Sequence, residues 1–146
     1  MTNIGRGIGA GLAATAVLSM IMIAKDMMGL MPELNVIAML SSMMGATPVV
    51  GWVMHFVIGM VAWGVGFVTF YRYLPGSSEV SKGISFGIAA WAMMMVAIMP
   101  MAGAGFFGLK MGMMAPIMTL MLHVVYGAVL GFVYSKLGSG KATVST

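Results

Sequence analysis

The chain has 146 residues; 61% are hydrophobic, 7% are charged, and seven Lys and Arg stand against three acids. A soluble domain carries roughly 25% charged residues, so this composition excludes one, and four apolar runs of about 20 residues, each enough for a bilayer core of roughly 30 Å, use up the length. There is no cysteine, which excludes disulfides, iron–sulfur clusters and thiol catalysis.

The first apolar run covers about residues 7–24, after Arg6 and before Lys25-Asp26. It is of spanning length and no small-x-small cleavage site follows, so it reads as a retained span rather than a signal peptide. Gly5, Gly7, Gly9 and Gly11 give it a small-xxx-small face that lets another helix approach closely in lipid. Lys25-Asp26 reads as a snorkelling, self-paired span end. Residues 27–47 are too long for a turn and too broken for a span. Pro32 suits the first turn of a helix and Glu33 its positive end, which predicts a short interfacial helix near residues 32–44.

The second span covers about residues 49–71, with Trp52 near one interface and Tyr71 and Tyr73 near the other, as in an aromatic belt. Residues 72–82 contain Pro75-Gly76 and read as a polar turn. The third span, about 83–104, contains Pro100, which should kink or end it. Residues 103–112 read as a flexible connection. The fourth span covers about 113–135, and the tail from Gly138 reads as polar and loose. Arg6, Arg72, Lys82, Lys136 and Lys141 fall on one side of this arrangement, and Lys25 and Lys110 on the other. The positive-inside bias then predicts a multi-pass protein with both termini cytoplasmic. The positive net charge reads as topology, not as nucleic-acid binding. The 21 methionines read as flexible packing and lipid-facing side chains. A soft-metal path for Cu(I) is the sharper alternative.

Two motifs occur twice in the same order. Arg6-Gly-Ile-Gly-Ala-Gly-Leu-Ala-Ala14 matches Lys82-Gly-Ile-Ser-Phe-Gly-Ile-Ala-Ala90, and Pro48-x6-His55-x3-Gly59 matches Pro116-x6-His123-x3-Gly127. The chain therefore reads as one transmembrane domain, residues 1–146, made of two duplicated helical hairpins. Repeat 1 is about residues 5–73 and repeat 2 about residues 81–137, related by a pseudo-twofold axis along the membrane normal. Gly7, Gly11, Gly83, Gly87, Gly127 and Gly131 are the expected helix-packing residues.

His55 and His123 are the only histidines, and the repeat puts them at equal depth on related helices. Their simplest role is hydrogen bonding between helices, worth about 1 kcal/mol in lipid. Axial ligation of one haem b is the sharper role, with Gly59 and Gly127, one turn on, leaving room for the porphyrin face. A metal or proton site is a third role, weakened because no carboxylate lies within a span. No nucleophile–base pair, phosphate loop or carboxylate cluster is present.

Residues 31–40 (MPELNVIAML), 99–105 (MPMAGAG) and 123–131 (HVVYGAVLG) resemble an uncharacterised family of small four-span bacterial membrane proteins. The resemblance covers nearly the whole chain. It implies four spans and a bacterial inner membrane, and no activity. The expected function is a non-enzymatic accessory or scaffold subunit, packing by glycine-rich faces against a second copy or a larger membrane complex. The alternatives are a one-haem b-type cytochrome and a small transporter or channel with a polar path inward from Lys25, Asp26 and Glu33.

Overall fold

A computed structural model describes residues 3–139, and all regular structure among them is helical. Lys141 and most of the polar tail lie outside these residues. Four helices are long and apolar enough to cross a membrane: α1 (Asn3–Met27), α3 (Pro48–Tyr73), α4 (Glu79–Met101) and α5 (Met114–Ser139). A short helix, α2 (Val36–Met43), lies between α1 and α3.

Local chemistry sets the boundaries. The Asn35 side chain accepts from the Ala38 amide and caps α2. The helix therefore starts later than Pro32, and Glu33 lies in the turn before it. Met31 holds the left-handed conformation there, at φ 48°. Pro48 opens α3 at a position whose amide needs no helical partner. Ser78 and Ser81 form a reciprocal capping box at the start of α4. Within the expected connection, Phe106–Met111 forms short 3-10 turns broken where Phe107 (φ 55°) and Gly108 (φ 67°) take the left-handed conformation. α4 runs one residue past Pro100 and carries a π turn at Met94–Ile98 just before it. A second π turn, Ile58–Trp63, interrupts α3.

Lys25 is buried at 7% exposure. Its Nζ donates to the carbonyls of Leu30, Met31 and Leu34 and pairs with Asp26. The self-pairing with Asp26 is present, but the chain does not snorkel. It folds inward over the following turn, where the buried Leu34 carbonyl has Lys25 as its donor and the Met31 carbonyl accepts from both Lys25 and the Leu34 amide.

Each hairpin closes through backbone contacts between glycines. On α1, Gly7 meets Gly64 and Gly11 meets Gly59; on α4, Gly83 meets Gly127 and Gly131, and Gly87 meets the His123 carbonyl and Gly127. A Cβ at Gly11 would lie 2.6 Å from the Gly59 oxygen, inside van der Waals contact. Gly127 and Gly131 are one helical turn apart, whereas Gly59 and Gly64 are five residues apart. The π turn between the latter absorbs the extra residue and returns Gly64 to the seam.

α5 packs along both α4 and α1, and α1 along α3. The central pair is thus α1 with α5, neither the second with the fourth span nor the first with the third. Side-chain size explains this. Ala10 and Ala14 of α1 are fully buried at the centre, so α1 and α5 approach closely. On the opposite side, Trp63 and Phe67 of α3 meet Phe86 of α4 edge to face, with centroids 6.1 and 5.7 Å apart. These rings hold α3 and α4 apart, and α2 covers the gap at one end. Met39 of α2 packs against the Met95, Met99 and Ala104 cluster of the second hairpin.

The opposite end carries Arg6, Arg72, Lys82 and Lys136. Arg6 lies over the Tyr134 ring and Lys82 over the Tyr71 ring, each 4.1 Å from the centroid. Above this end Phe67, Phe86, Tyr126, Leu130 and Tyr134 form the main core with Ala10 and Ala14.

Candidate functional site

The gap under α2 is a cavity of about 500 Å³ bounded by all four spans. α3 contributes the consecutive pairs Met54-His55, Ile58-Gly59 and Ala62-Trp63, and α5 contributes Thr119, Leu122, His123 and Tyr126. These are one-turn spacings along a single helix face. Both π turns also face the cavity, one through Ile58 to Trp63 and the other through Met94 and Ile98. Widened turns of this kind recur at functional sites because they re-aim side chains out of the helical register.

Both histidines line this one cavity. His55 is 8% exposed, and its buried Nε2 has no hydrogen-bond partner. Its ring meets Trp52 and Phe56 edge to face, each 5.9 Å between centroids. His123 is held differently. Its Nδ1 lies 2.8 Å from the Thr119 carbonyl, and a carbonyl only accepts, so Nδ1–H is the donor. In the neutral ring Nε2 then carries the lone pair. The turn behind His123 is itself fixed. Thr119 Oγ1 donates to the Ala115 carbonyl at 2.7 Å and accepts from Trp91 Nε1–H at 3.1 Å.

The glycines one turn from the histidines both seat a neighbouring helix, Gly59 against Thr15 of α1, and only Gly59 also lines the cavity. The Gly59 carbonyl accepts from the Tyr126 hydroxyl at 2.7 Å. Gly127 faces the Gly83 backbone instead, so its missing side chain seats a helix and leaves no room for a porphyrin. Gly7, Gly11, Gly83, Gly87 and Gly131 are likewise occupied within the chain. The glycine rows expected to meet a partner therefore meet each other.

A family model covers residues 1–145, that of the family of unknown function DUF6789. The chain belongs to the DUF6789 family. No curated protein and no solved structure matches it. Membership extends over nearly all of the chain, so the cavity and both histidines lie within the family's span, and it brings no activity with it.

The sequence pointed to both histidines and to Gly59 but not to Thr119 and Tyr126. Tyr126 is three residues from His123 and Thr119 four before it, both within the repeat motif's own face. The methionines give the stronger missed signal. Apart from Met1, ten lie between Met20 and Met60 and ten between Met93 and Met121. In every span that is the half nearer α2. Residues 61–92 and 122–146 contain none.

Proposed function

We propose that this protein is a non-enzymatic membrane protein whose α2 end takes a small guest into the histidine cavity. The observation that carries this reading is the convergence of the only two histidines on one cavity, with one imidazole nitrogen buried and unpartnered. A buried polar atom without a partner costs about 1–3 kcal/mol, and a turn of the His55 ring that brings Nε2 to a guest recovers that energy. The volume also lies within the usual range for ligand sites, about 300–1,000 Å³. The guest's route is lateral, between α3 and α4, where Met43, Met44, Ala62 and Met93 are exposed cavity residues.

The earlier alternatives fare unequally. A scaffold built on glycine faces loses its motivating surface, since those faces close the hairpins. A through-channel conflicts with the ring-filled core on the basic end, and Lys25 is engaged in holding a turn rather than lining a path. Haem suits the fixed His123 imidazole, but among the lining residues no Lys or Arg is available for its two carboxylates.

The test is entry of a small apolar probe. The protein is placed in lipid nanodiscs and titrated with 6-bromohexanol, whose bromine quenches Trp63 from within the cavity. The reading predicts a saturable component of quenching that disappears in Ala62→Phe, which blocks the lateral gap from an exposed position. Quenching that rises linearly and is identical in the two proteins refutes it. A Soret band in material from native membranes, lost in both His55→Phe and His123→Phe, would return the haem reading.

A further inference from the structure

We infer that the guest is a soft monovalent cation, Cu(I), held by the two imidazoles and methionine thioethers. The inference rests on the cavity reading above and names its occupant. Seven methionines border the cavity: Met22, Met54 and Met94 on the spans, Met39 and Met43 on α2, Met44 just after it, and Met93 at the lateral gap. Thioether sulfur is a soft donor that selects Cu(I), and imidazole nitrogen binds copper well. The His55 Nε2 is without a partner, and the His123 Nε2 is left free to donate its lone pair by the Nδ1–H bond to Thr119. Orientation of a ligating imidazole by a backbone carbonyl on its other nitrogen is the usual supporting arrangement in metal sites.

The distribution of methionine gives independent support. If methionine served only as flexible filler, it would occur in both halves of the spans, because the two halves of the bilayer core are equally apolar. Here the half on the basic end has none beyond Met1, and is packed with Gly, Ala, Leu and aromatic residues instead. The half around the histidines holds the other twenty. Met27, Met28, Met101, Met113 and Met114 are exposed at that same end, where they offer the ion weak sulfur contacts on the way in.

Charge selects the ion's valence. No group of three His, Cys, Asp or Glu that could hold a metal occurs among the described residues. A divalent ion in this apolar setting would keep its full charge uncompensated, and the cost of burying a charge rises with its square. A monocation with neutral sulfur and nitrogen donors avoids most of that cost. Zinc, which takes three or four His, Cys or carboxylate ligands, is poorly served.

The experiment uses the full chain in nanodiscs and Ag(I), a redox-stable soft monocation, as the probe, followed by Cu(I) under reducing, oxygen-free conditions. Calorimetry is expected to give one Ag(I) per chain with submicromolar affinity, and X-ray absorption of the Cu(I) form to show nitrogen and sulfur neighbours. His55→Phe is expected to weaken binding at least tenfold. Met54→Leu/Met94→Leu keeps side-chain volume and removes two thioethers, so it should weaken binding at least tenfold while bromohexanol still enters. No Ag(I) binding in a protein that bromohexanol enters overturns the metal inference and leaves the cavity reading standing. Failure of both probes overturns both. Equal Ag(I) binding by wild type and variants assigns the ion to exposed methionines and overturns the inference.

Discussion

Replacing Lys25 by methionine tests how the cavity's cover is held. Lys25 Nζ donates to Leu30, Met31 and Leu34 carbonyls at 3.1, 3.2 and 3.0 Å. Leu30 is 44% exposed, so solvent can serve its carbonyl after the change. Leu34 is only 3% exposed, so its carbonyl would lose a charged donor without replacement, whereas the Met31 carbonyl keeps the Leu34 amide. Each such bond contributes about 1.5–3 kcal/mol. Lys25→Met should therefore cost about 2 kcal/mol, roughly thirtyfold in the unfolding equilibrium. The effect should be local as well. Amide exchange across residues 30–46 should accelerate, because α2 hangs from this turn, while α5 stays protected. Asp26→Asn is the internal comparison. Asp26 is 43% exposed, and an exposed pair contributes at most about 1 kcal/mol. Unfolding in mixed detergent–dodecyl sulfate micelles reads both variants. If Lys25→Met lost less than Asp26→Asn, or left exchange in α2 unchanged, the capping role would be wrong.

Four further outcomes follow from packing. Gly127→Leu should cost more than about 3 kcal/mol or abolish folding, because its side chain enters the Gly83 backbone and overpacking a backbone seam cannot relax by rotamer change. Gly103→Ala should cost only about 1 kcal/mol. Nothing lies within 4 Å of the added carbon, and the cost is its φ of 80°; micelle unfolding measures both. Tyr126→Phe should lose about 1 kcal/mol by removing the bond to the Gly59 carbonyl, with bromohexanol entry retained. Arg6→Gln should lose about 1 kcal/mol from the ring contact and the bond to the Tyr134 carbonyl, read as faster exchange at the basic end.

Four spans were legible from run length and charge alone, because lipid imposes a simple rule on apolar segments. The glycine contacts were legible as packing sites but not as to their partner. A small-xxx-small face has the same spelling whether it meets a helix of its own chain or of another. The arrangement of spans was hidden because the two repeats look equivalent in sequence. Ala10 and Ala14 against Trp63, Phe67 and Phe86 break that equivalence, and only packing weighs small faces against large rings. The π turn in α3 left one trace, the five-residue spacing of Gly59 and Gly64 where the second copy has four between Gly127 and Gly131. The start of α2 was misplaced because Pro32 is a good helix opener, yet Asn35 offers the stronger cap. The methionine bias was readable from the start, but as a position along each span and not as a total.

His55, His123 and the neighbouring methionines are proposed to serve one site. The most direct measurement is nuclear magnetic resonance of protein carrying 15N-histidine and 13C-methyl methionine, titrated with Ag(I). Both imidazole signals and the methyls of Met54 and Met94 should shift together and stop at one equivalent, with Met60 and Met118 unmoved. Movement of one histidine alone, or of exposed methionines only, would contradict the claim.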